Sequence, residues 1–172
     1  MNHGVRNGLL YGGIGVILSL VFYLVNTELM FTWWLQMLIG FGLALFFMIK
    51  ASREEKADNE GILTYGEAVK TTFIVGVIAT VISSIYNHVM MAYIDPSLVD
   101  QMLEVQIKTA QASAEMFGAP EEALDQMREQ LEEQDFTPTI GKTISQMIMA
   151  CVVMLIFSLI VSAFVKKNPS LD

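Results

Sequence analysis

Hydrophobic positions gather into four long runs, Leu9–Val25, Leu29–Ile49, Thr71–Ile94 and Ile140–Val165, and polar positions collect between them. A helix rising about 1.5 Å per residue needs roughly 20 residues to cross about 30 Å of hydrocarbon. Each run, with its flanks, reaches that length. The pattern predicts an all-α membrane protein with four transmembrane helices over about 8–26, 29–49, 69–94 and 138–165, joined as one integral domain over 1–172. The first run follows Arg6 as a signal peptide would, but it exceeds the roughly 7–15 apolar residues of such a segment and no A-x-A-like site follows. It is expected to remain as an anchor.

Between the third and fourth runs the period changes. Leu98, Met102, Val105, Thr109, Ala112 and Met116 recur at steps of four and three, one face of a helix. Asp95-Pro96 supplies a cap and a first turn. Gly118-Ala119-Pro120 ends that helix and opens a second, whose stripe is Leu124, Met127 and Leu131. Thr137-Pro138 is expected to cap the fourth span. The predicted element is a helical hairpin over 96–135, its apolar faces packed on each other or lying on the bilayer.

Charge fixes the expected orientation. Arg6, Lys50, Arg53, Lys56, Lys70, Lys166 and Lys167 fall on one side of the spans, against Lys108, Arg128 and Lys142 on the other. Positive loops stay cytoplasmic, so both termini and the linker Ala51–Thr64 are expected there. Asn26-Thr27 then makes a tight outer turn, and Trp33, Trp34, Tyr23 and Tyr93 sit where an outer aromatic belt belongs. The outer connection, 95–135, carries eleven Asp and Glu against Lys108 and Arg128. The overall composition agrees with a membrane protein: 53% hydrophobic and 16% charged residues, with a mean hydropathy of +0.50.

Few side chains suggest chemistry. Ser83, Ser84, Asn87 and His88 fall within two turns of the third span, and Gln36 and Gln146 are the most polar groups at depth elsewhere. These define a candidate polar site of Ser84, Asn87, His88, Gln36 and Gln146, facing the bundle. The alternative reading of Asn87-His88 is a helix end at the interface, where water is close. Of the two, Asn87 is expected to point further inward, because it shares a face with Thr80 and Ser83. Glu67 and Lys70, one turn apart at the mouth of the third span, form a candidate cytoplasmic contact, although Thr64 and Glu67 also fit a T-x-x-E capping box. Gly4, Gly8, Gly12, Gly15 and Ser19 form a small-residue seam, suited to close packing against an internal neighbour or a second copy.

The usual phosphate, zinc, acyl-transfer and redox motifs do not occur, and no span carries Asp, Glu, Lys or Arg at its middle. Cys151 reads as a packing thiol. No cofactor or metal is expected, and no nucleic-acid partner, the last because the basic residues are few and scattered.

A Gly-rich first span, the segment Thr64-Tyr65-Gly66-Glu67-Ala68-Val69-Lys70, the core Ser83-Ser84-Ile85-Tyr86 and the exit Ile94-Asp95-Pro96 together resemble the uncharacterised family catalogued as domain of unknown function 4199. The resemblance covers nearly the whole chain. It implies a four-helix protein of the inner membrane of Gram-negative bacteria, with an acidic helical segment between the third and fourth spans. It implies no activity and transfers no catalytic residue. The expectation is a non-enzymatic accessory or assembly protein, acting by helix association with a membrane-protein partner or as a homo-oligomer. A second reading is a small transporter or lipid-carrier flippase with a polar path past the candidate site. A third, an enzyme acting on lipid, would use His88 with Asp95.

Overall fold

Capping chemistry marks out the first elements. The Asn2 side chain accepts from the Val5 amide and opens α1, His3–Val25. The Asn26 carboxamide oxygen then takes the Glu28 amide at 2.9 Å and starts a single turn, α2, Glu28–Phe31. A reciprocal box between Thr64 and Glu67 starts α4, Tyr65–Val89, which follows α3, Trp33–Asp58. The computed structural model describes residues 2–167. The ends of the expected 1–172 domain, residue 1 and residues 168–172, lie outside the described residues.

α4 runs on into a wide π-turn, Met90–Ile94, closed by the Asp95 amide on the Met90 carbonyl at 2.8 Å. Then come α5, Leu98–Met116, α6, Glu121–Glu132, and α7, Ile140–Val165. Four helices, His3–Val25, Trp33–Asp58, Tyr65–Ile94 and Ile140–Val165, are long and apolar enough to cross a membrane. No strand forms among the described residues, although Leu63 and Lys167 exchange main-chain hydrogen bonds at 2.9 and 2.8 Å.

α4 is the hub, packing against α1, α3 and α7. The core of Tyr11, Ala44, Phe47, Met48, Ala51, Val75, Ala79 and Val161 lies toward the end where residues 3, 58, 65 and 165 meet. We call this the basal end, and the other the hairpin end. Gly4, Gly8 and Gly12 form the tightest contact. A Cβ there would stand 2.9 Å from the Thr71 carbonyl oxygen, 2.9 Å from Ile78 Cβ and 2.7 Å from Ile82 Cδ1. The seam is thus taken up inside the chain, by α4. It ends at Gly15, where the nearest atom would be Ser83 Oγ at 3.9 Å.

Several boundaries differ from those read in the sequence. The second span begins at Trp33 rather than Leu29, because extended backbone at Thr32 separates α2, which packs against α5. The segment read as a linker from Ala51 is helical to Asp58: Ala51 and Ser52 are buried, and Glu54 and Asp58 bind α1, so the true linker is 59–64. Within it Glu60 and Gly61 take positive φ, 53° and 84°. Asp95 receives the Ser97 amide and hydroxyl in an Asx-type turn, and α5 starts two residues after Pro96. Thr139, not Thr137-Pro138, caps α7 by accepting from the Lys142 amide at 3.2 Å; the Thr137 amide is already held by Asp135.

α5 packs on α6 in a hairpin, and the stripe residues Met102, Val105 and Thr109 of the one and Leu124, Met127 and Leu131 of the other are half-buried. Gly118, at φ 71°, takes the left-handed conformation that ends α5. The expected stripe does not stay covered to its end: Met116 is 86% exposed, and beside it Phe117 is 90% exposed.

Candidate functional site

Toward the hairpin end the helices diverge and leave three cavities that share Asn87. Ser84, Asn87, His88 and Gln146 line a cleft of about 240 Å³ between α4 and α7. Gln36 does not join them there. It lies with Asn87 on a cavity of about 180 Å³ between α1, α3 and α4. A third, of about 320 Å³, adds Met102 of α5 and Lys142 of α7. Asn87 is where the three sets of walls meet.

The expected ranking of the Asn87-His88 pair is reversed in one respect. His88 is the half-buried member and bridges the helices, its Nδ1 lying 2.8 Å from Thr143 Oγ1 while Tyr93 meets its ring edge-on. Asn87 keeps the face it shares with Ser83, but that face opens into a cavity and leaves it exposed. Side-chain hydrogen bonds to protein are found for neither Ser84 nor Asn87 among the described residues, and Gln36 makes one, from Nε2 to the Leu29 carbonyl at 3.0 Å.

Hydrogen bonds and ion pairs tie the hairpin's feet and the middle of α5 to the rest of the chain. Tyr23 donates to Asp95 at 3.1 Å, Thr27 donates to Gln101, and Lys108 lies 3.2 Å from Glu28 and 3.0 Å from Glu104. The Glu104 carboxylate, then that of Glu28, raises the Lys108 pKa. Asp95 is held below the usual carboxylate range, chiefly by the Ser97 hydroxyl. Asp135 lies further below it, because Lys142 Nζ binds its carboxylate at 2.7 Å.

Glu67 is used by its cap: its carboxylate accepts the Thr64 amide at 2.9 Å and hydroxyl at 2.7 Å. It forms no ion pair with exposed Lys70 among the described residues. Of the contact expected of these two, the mutual pair is replaced by the cap, and Lys70 stands exposed one turn further on.

A second polar cluster lies at the basal end. His3 Nε2 is 2.7 Å from Asp58, Arg6 Nη2 is 2.6 Å from Glu54, and the fully buried Asn7 donates to the other Glu54 oxygen at 2.6 Å. The sequence reading missed this cluster, although its signal was present. His3, Arg6 and Asn7 fall at i, i+3 and i+4, and Glu54 and Asp58 at i and i+4, so each set forms one helix face. Only the pairing of the two faces, across about fifty residues, was hidden. The cluster ties α1 to α3 at their basal ends and complements the seam that ties α1 to α4.

Fold and site together describe an all-helical protein with four helices of membrane-crossing length and an acidic hairpin between the last two. Residues 6–167 match the family described as Protein of unknown function (DUF4199), nearly the whole chain, and the protein belongs to that family. No curated protein and no solved structure matches it.

Proposed function

We propose that this is a non-enzymatic, multi-pass protein of a bacterial inner membrane, acting as an accessory or assembly factor that binds another membrane protein through its hairpin end. The observation that carries the reading is the hairpin's asymmetry. Its feet are latched to α1, α2 and α7, whereas Met116 and Phe117 at its tip are almost fully exposed. A held arm with an apolar tip suits capture of a partner, and methionine adapts to irregular surfaces. The glycine seam is engaged with α4, so a second copy of the chain would have to use another face. Orientation follows the basic residues: Arg6, Lys50, Arg53, Lys56, Lys70, Lys166 and Lys167 gather at the basal end, which supports a cytoplasmic placement of both chain ends.

The test is affinity purification after mild detergent extraction, comparing the native chain with a Met116→Ser, Phe117→Ser variant. A stoichiometric membrane-protein partner retained by the first and lost by the second is expected. The three cavities meeting at Asn87 favour a second reading, a small transporter or lipid carrier. Native protein that purifies alone and drives lipid or solute flux in vesicles would replace the first reading with this one.

A further inference from the structure

We propose that the cavity of about 180 Å³ between α1, α3 and α4 is a binding site for an uncharged hydrogen-bonding group carried on an apolar body. Its polar wall consists of Tyr11, Ser19, Gln36, Ser83, Tyr86 and Asn87, and none of its lining residues bears a charge. The remaining wall is aliphatic and aromatic, apart from two glycines.

The polar groups are unusually idle. The Tyr86 hydroxyl is buried and has no hydrogen-bond partner among the described residues. Ser19, Ser83 and Asn87 make no side-chain hydrogen bond to protein there, and Gln36 uses only its Nε2. Tyr11 alone is committed, donating to the Gly40 carbonyl at 2.9 Å. Ser19, Ser83 and Asn87 therefore offer spare donors and acceptors, and such a wall is suited to a group that brings its own.

The opening is built into the helices. α1 and α4 are at the limit of approach at Gly4, Gly8 and Gly12, then separate at Gly15 and Ser19, where the cavity begins. The neighbouring clefts differ, because there His88 is already paired with Thr143, and Lys142 with Asp135.

Charge selects the ligand class. An ion entering this cavity would shed water and meet no countercharge, whereas a hydroxyl or amide would exchange water for the waiting amides and hydroxyls. A sugar or polyol fits, either as the headgroup of an uncharged lipid or as a free solute. This site does not depend on the association reading: a protein that keeps its partner but binds no such ligand would lose this proposal alone.

The test uses the full chain in lipid nanodiscs, with labelled n-octyl glucoside as the uncharged probe and n-octyl sulfate as the charged one, each corrected for uptake by empty nanodiscs. Saturable binding is expected for the glucoside only. Asn87→Leu and Ser83→Ala should each weaken it about tenfold. Neither variant removes a side-chain hydrogen bond present within the chain, so both should unfold thermally at or above the native temperature. Competition by free glucose would assign a soluble polyol, and its failure to compete a lipid-borne headgroup. The proposal is overturned if the native chain shows no saturable component, if the sulfate binds equally well, or if folded variants bind like the native chain.

Discussion

At Gly8 an added Cβ would lie 2.9 Å from Ile78 Cβ and 3.0 Å from the Val75 carbonyl oxygen, whereas at Gly13 it would meet nothing within 4 Å. Helix association in a membrane draws largely on close packing, so these two glycines of one helix are predicted to respond in opposite directions. Gly8→Ala forces the backbones apart and should destabilise by about 1–3 kcal/mol, the range for overpacking. Gly13→Ala gains helix propensity at an open position and should be neutral or stabilising by up to about 1 kcal/mol. Unfolding in detergent measures both, and equal effects would refute the seam. The seam was legible because small residues four apart mark a face. Which helix covers it was not, since Thr71, Ile78 and Ile82 are ordinary span residues. Asn87 and His88 show the same limit: their span and polarity could be read, but their relative exposure depends on α7, whose Thr143 takes His88.

Among the elements, the hairpin depends most on its junctions. Asp95 and Asp135 sit at its two feet, and both are held below the ordinary carboxylate range by hydrogen bonds made in the fold. A carboxylate whose folded pKa is depressed contributes stability above its unfolded value, about 3.9, and loses it as pH falls through the folded value. The feet should therefore stay closed from neutrality down to about pH 4 and loosen below it, first at Asp95, whose pKa is less depressed. Hydrogen exchange at the Ser97 and Thr137 amides reads this directly, and loosening already between pH 7 and 5 would contradict it. High salt should weaken the exposed Asp135–Lys142 pair as well. The hairpin was predictable from its period and its Gly-Ala-Pro turn. The starts of α5 and of α7 beyond the hairpin were misplaced by two residues, because Asp95 and Asp135 bind amides two positions ahead and so delay both helices.

Across the whole molecule, the four long apolar helices were readable from hydropathy alone, whereas the α3 extension to Asp58 was not. Polar residues there looked like a loop until their partners on α1 appeared. Sidedness can be checked by cysteine labelling in a Cys151→Ser background, at Ser113 on the hairpin and Asn59 in the linker, both exposed. Ser52 is unsuitable, being 1% exposed. Ser113 is predicted to react from outside the cell and Asn59 only after permeabilisation; the reverse pattern would invert the molecule. α4 and α7 are fastened at both extremities, by the Leu63–Lys167 main-chain pair at one and by His88 with Thr143 at the other, with Thr72 bonded to Ser162 in between. A beam pinned at three points along its length neither scissors nor slides. α1 packs on that beam through its glycines and is tied again at the hairpin end by Tyr23 on Asp95, and Tyr11 on the Gly40 carbonyl joins it to α3 part-way along. Any breathing of the space beside Asn87 therefore falls to the first turns of α3, which have no side-chain bond to α1 beyond Gly40 among the described residues and can bend outward from that tie like the free end of a clasp.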